Sequence, residues 1–102
     1  MSSLEDLARL PAALRDAARL DGREVAWHIK DAPAAIESLT GLGRIVFGLD
    51  LRGYEEDGTF FEAPWSSYDG SDPRESRDAA LGALTREDRA LFGDWVLVTW
   101  GS

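Results

Sequence analysis

The chain has no cysteine and a single histidine, and these two scarcities remove several chemistries at once. Without thiols there are no disulfides and no thiolate nucleophile, which fits a reducing compartment. His28 is the one residue a histidine general base could use, and no G-x-S-x-G elbow surrounds a serine for it to activate. Zinc sites draw on several His or Cys ligands, so none is expected. Asp69-Gly70-Ser71-Asp72 looks superficially like a calcium loop, but Pro73 and the missing glutamate at the twelfth position break the pattern. Gly41-Leu42-Gly43-Arg44 precedes a strand pattern and so offers no helix N-terminus to a phosphate. The chain therefore carries no catalytic motif, and no metal or cofactor is expected. No apolar run reaches membrane-spanning length, and MSSLEDLARL has acids where a signal peptide has a basic n-region. A cytoplasmic protein is the expectation.

Positive charge is also in short supply. Eleven Lys and Arg face nineteen Asp and Glu, for a net charge of −8, which argues against nucleic-acid or anionic-membrane binding and favours a cationic partner. The imbalance is local. Residues 1–30 carry five acids and five bases, whereas residues 31–102 carry fourteen acids and six bases. An acidic excess of this kind serves either a binding surface or solubility alone.

At 102 residues, of which 44% are hydrophobic, residues 1–102 make one domain, long enough to bury roughly 60 to 68% of its unfolded surface. Ser2 and Glu5 form a capping-box pattern ahead of Leu4, Leu7, Leu14 and Ala18 at helical spacing, with a break at Pro11 and an end at Asp21-Gly22. Residues 24–30 alternate Val25, Trp27 and Ile29 with Ala26, His28 and Lys30, the period of a strand. Asp31 and Pro33 then open a short helix that Gly41 ends. Residues 44–54 set Ile45, Phe47, Leu49 and Leu51 against Val46, Gly48, Asp50 and Arg52, and a turn at Glu55-Glu56-Asp57-Gly58 returns the chain antiparallel over residues 59–63. Pro64 ends this pairing or lies on an edge. Asp72-Pro73-Arg74-Glu75 starts a further helix, Thr85 and Asp88 another, and residues 95–100, apolar at five of six positions, close the chain as a central strand. The order α-β-α-β-β-α-α-β predicts an α+β domain with a four-stranded mixed sheet packed by helices.

Residues 55–72 hold six carboxylates and no base. Glu55, Glu56, Asp57, Glu62 and Asp69 supply charge, and Tyr54, Trp65 and Tyr68 supply large amphipathic rings beside it, a pairing suited to a basic protein partner. The alternative for these rings is local packing that pins the loop to the sheet. Trp27, Phe47, Phe61, Phe92 and one of Trp95 or Trp100 are read as core.

With YEEDGTFFEAPWSSYDG (residues 54–70) and GDWVLVTW (residues 93–100) in view, the chain resembles the small acidic immunity proteins with which bacteria neutralise their own toxins. The resemblance is one of size, charge and texture. It implies a single tight partner, often a nuclease, whose basic cleft is blocked by carboxylates standing in for phosphate. Other readings of the same residues are a nucleic-acid mimic, a homodimeric interaction domain, and a small enzyme that uses His28 or a carboxylate pair.

Overall fold

The computed structural model describes residues 2–102, apart from the side chain of residue 90. Five strands, β1 (Arg19–Asp21), β2 (Glu24–His28), β3 (Ile45–Tyr54), β4 (Phe60–Ser67) and β5 (Trp95–Gly101), form one sheet in the order β1-β2-β5-β3-β4. The α+β class agrees with the sequence pattern, but the sheet has five strands where four are expected. The additional strand is β1. Asp21-Gly22, expected to end a helix, begins a two-residue hairpin in which Gly22 takes φ +63°, a conformation that costs glycine little.

The sheet is also antiparallel throughout, where the sequence pattern suggests a mixed one. The reason is topological. Strands β2 and β3, joined through a helix, run the same way, but β5 inserts between them and runs against both. This makes the apolar β5 the middle strand.

Helices α1 (Ala12–Ala17), α2 (Ala32–Gly41) and α3 (Pro73–Leu84), with 3-10 turns at Leu4–Arg9 and Glu87–Phe92, accompany the sheet. Pro11 separates the first turn from α1. Asp72 caps α3 by accepting from the Arg74 amide over 2.9 Å, with Pro73 at the first helical position. Ser2 departs from its expected capping role: its hydroxyl accepts from the Trp100 amide over 2.9 Å and so fastens the N-terminus to β5. The helices all pack on one face of the sheet, where Leu14, Trp27, Ile36, Leu39, Leu51 and Trp100 belong to the buried cluster.

One bulge sets which residues reach that cluster. The β3–β5 register steps from Val46↔Trp100 to Gly48↔Thr99, leaving Phe47 as the extra residue. Val46 consequently joins Leu49 and Leu51 in the core, and Phe47, expected there, is only half-buried. Buried Ser76 ties α3 to the bulge, its hydroxyl accepting from the Val46 amide over 3.1 Å and donating to the Pro73 carbonyl over 2.7 Å. Buried Asp6 similarly joins the first turn to the sheet, accepting from Trp100 Nε1 over 2.9 Å and from Arg44 over 3.0 Å. Burial raises the Asp6 carboxyl, but the bonds from Trp100 and Arg44 and the charges of Arg44 and Arg9 outweigh it and hold the group below its ordinary value.

Candidate functional site

Strand alternation sends a second set of side chains to the face that the helices leave uncovered. Cross-strand pairing fixes its rows: Arg19, Ala26, Leu97, Asp50 and Pro64 in one, and His28, Trp95, Arg52 and Glu62 in the next. Ala26 and Leu97 are 1% and 5% exposed although they lie outside the helix-side cluster. Long side chains meet one another on this face. The Tyr54 hydroxyl on β3 donates to Asp21 on β1 over 2.6 Å, and the Arg19 guanidinium sits 3.4 Å above the centre of the Tyr54 ring. Trp95 meets Tyr54 edge to face at 5.7 Å.

Arg52 is the centre of this arrangement and is 1% exposed. It donates to Glu62 over 2.7 Å, Glu24 over 2.9 Å and Asp21 over 3.2 Å, while the Phe60 ring lies 4.0 Å from the guanidinium carbon. Burial works against its charge, but the bonds to Tyr54, Glu62 and Glu24 more than offset that and raise it above its ordinary value. From behind, Gly93 crosses the strand with φ +114°, so close that a Cβ there would stand 2.5 Å from the Arg52 carbonyl oxygen. A residue with a side chain would not fit.

Asp50 stands one step along the strand on the same face and is half-buried. Among the described residues no hydrogen bond or ion pair reaches its carboxylate. Burial first, then the charges of Glu62 and Glu24, raise it above the ordinary carboxyl value against the pull of Arg52. Sequence reasoning placed Asp50 and Arg52 on one polar face of a strand but assigned them no role. The Arg52 partners Asp21 and Glu24 come from a hairpin about thirty residues earlier, and nothing local announces that contact.

The residues singled out from sequence divide between this face and the hairpin end. Glu55, Glu56, Asp57 and Asp69 are exposed, and none makes an ion pair among the described residues. Gly58, with φ +89°, closes the turn, and Asp57 accepts from the Thr59 hydroxyl and amide over 2.6 and 3.0 Å, bonds that lower its carboxyl. Glu62 belongs to the Arg52 collar and Tyr54 to its aromatic flank.

Trp65 and Tyr68 are held by local contacts. Trp65 donates to the Ala83 carbonyl over 2.8 Å, packs on Phe92 and lies under Arg86. Tyr68 accepts from the Asp72 amide over 3.2 Å and reaches Glu75 over 3.3 Å, which pins the loop to α3. Phe61, expected in the core, is 48% exposed, and Phe60 beside it is 45% exposed. An apolar pair therefore stands next to the hairpin acids. Strand β4 is an edge, and Pro64 sits where its missing amide would point away from β3, so the ladder loses nothing there.

His28 lies on the uncovered face, edge-on to Trp95 at 5.7 Å, and its Nδ1 accepts from the Lys30 amide over 3.2 Å. Among the described residues no group of three or more His, Cys, Asp or Glu is placed to hold a metal, and no helix is long and apolar enough to cross a membrane. No family model, curated protein or solved structure matches the chain.

Proposed function

We propose that this chain is a non-enzymatic inhibitor of a basic protein, acting as a toxin-neutralising immunity protein in the cytoplasm. The observation that carries this reading is the hairpin end, where Glu55, Glu56 and Asp57 are exposed and without ion-pair partners among the described residues, beside the exposed rings of Phe60 and Phe61. Solvated carboxylates that neutralise nothing within the chain attract a basic cleft from a distance, and the adjoining rings supply area that contact removes from water. Close charge pairs in a nuclease–inhibitor interface have coupling energies of about 1.5 to 7 kcal/mol, so a few such contacts with an apolar anchor account for tight binding.

The test is capture by the immobilised chain from the lysate and secretome of the source organism, washed at low and then high salt. It is followed by an activity assay on whatever is retained. The expected result is one basic protein whose activity is inhibited and whose retention at low salt is weakened or lost in the Glu55→Lys, Asp57→Lys double variant. A retained protein that is acidic, or one indifferent to the double variant, overturns the reading.

A further inference from the structure

We infer that the uncovered face of the sheet is the main docking surface for that basic partner, and that Asp50 together with Glu62 receives a guanidinium or ammonium group from it. This deepens the basic-partner reading and rests on it. Three observations carry the assignment. The face needs no further layer for folding, since Ala26 and Leu97 are already buried without a helix over them and Arg19, Tyr54 and Trp95 already pack on one another, so its side chains are in place before anything binds. Preorganisation of this kind lowers the ordering cost of association.

The second observation is charge. Among the described residues the rows of this face carry Asp21, Glu24, Asp50 and Glu62 beside Arg19 and Arg52, and Arg52 is consumed by three of the four carboxylates. These rows therefore hold more carboxylates than guanidinium groups, and Asp50 is the one left without a bond among the described residues. A second copy of the chain would bring the same excess of carboxylates, and an anionic ligand would meet it directly.

The third is Asp50 itself. A half-buried carboxylate beside like charges, with no bond among the described residues, works against the stability of the free chain, and asparagine would fit in its place. Residues that break a local rule without compensation mark functional positions. Charge-assisted bonds from a partner's guanidinium would satisfy it. The hairpin acids, fully in water, then steer the encounter, and the face holds the complex.

The experiment is a titration of the 15N-labelled chain with a capped tetra-arginine peptide at low salt, with a tetraglutamate peptide as control. Asp50→Asn is compared with the triple variant Glu55→Gln, Glu56→Gln, Asp57→Asn, and the spectra themselves report whether each variant is folded. The expected result is saturable shifts at Asp50, Leu97, Glu62 and the Trp95 indole, about tenfold weaker binding in Asp50→Asn, and a smaller weakening in the triple variant that leaves the shifted residues the same. Shifts confined to the hairpin and lost in the triple variant overturn the face while leaving the basic-partner reading standing. No saturable shift anywhere overturns both. Shifts on the face that depend on protein concentration without peptide assign it to a second copy and also overturn the proposal.

Discussion

The hydroxyl of Tyr54 donates to Asp21 over 2.6 Å, joining β3 to β1 across the two strands that separate them in the sheet. Strands lie about 4.8 Å apart, so a contact over three such spacings requires the sheet to curl toward its uncovered face. Ala26, small and in the path of the bridge, permits it. The same curl brings Asp21 and Glu24 within reach of Arg52, so one bend of the backbone assembles the whole cluster.

Replacing Arg52 with methionine should cost about 2 to 3 kcal/mol at pH 7. Removing one partner of a buried pair leaves the others uncompensated, and partial solvent screening of Asp21, Glu24 and Glu62 places the cost toward the low end of the usual range. Urea denaturation measures it. The deficit should shrink in acid, where protonated carboxyls no longer repel one another, and a deficit independent of pH would mean that packing, not charge, is what Arg52 contributes.

Asparagine at position 50 should make the free chain more stable at neutral pH. The folded state raises the Asp50 carboxyl above its ordinary 3.8, so the folded chain binds its proton more tightly than the unfolded one. The resulting penalty is absent below 3.8, grows as pH rises through the raised value and is complete above it. Melting curves of the two proteins should therefore differ by a few degrees at pH 7 and converge in acid. Equal melting temperatures at both pH values would remove the cost argued for this carboxylate.

Asp6 has the opposite sign. Its carboxyl is lowered below 3.8, so it stabilises the fold above that value, and the contribution is lost as pH falls through the lowered one. Alanine at position 6 leaves the buried Trp100 Nε1 without an acceptor and should cost about 2 to 3 kcal/mol at pH 7. The variant's stability should also fall less steeply with acid than the parent's, which a pH series of urea midpoints will read.

Much of this fold is legible in local pattern. Residues 24–28 alternate, Asp72-Pro73 opens a helix, the apolar run Trp95–Gly101 becomes the middle strand, and each rests on interactions within a few residues. The departures are long-range. Phe47 is displaced by a bulge that a Ser76 hydroxyl stabilises from thirty residues away, and Ser2 answers to Trp100 in place of its own helix. Periodicity puts Phe61 in the core, but it lies on an edge strand, 48% exposed, with its ring over Gly53. The hairpin acids were visible as composition, whereas the Arg52 cluster exists only once β1, β2, β3 and β4 are brought together.

The two acidic surfaces should separate kinetically once a basic partner is in hand. Solvated charges at an interface rim act through long-range attraction that salt screens, whereas desolvated pairs act on the lifetime of the complex. Neutralising Glu55, Glu56 and Asp57 should therefore slow association and flatten its salt dependence while dissociation stays nearly constant. Asp50→Asn should leave association close to that of the parent and speed dissociation about tenfold or more. Surface plasmon resonance at low and high salt resolves the two rates. The reverse pattern would seat the hairpin inside the partner's cleft and leave the sheet face a spectator, because a carboxylate whose loss changes only the encounter cannot be the one that is buried in the complex.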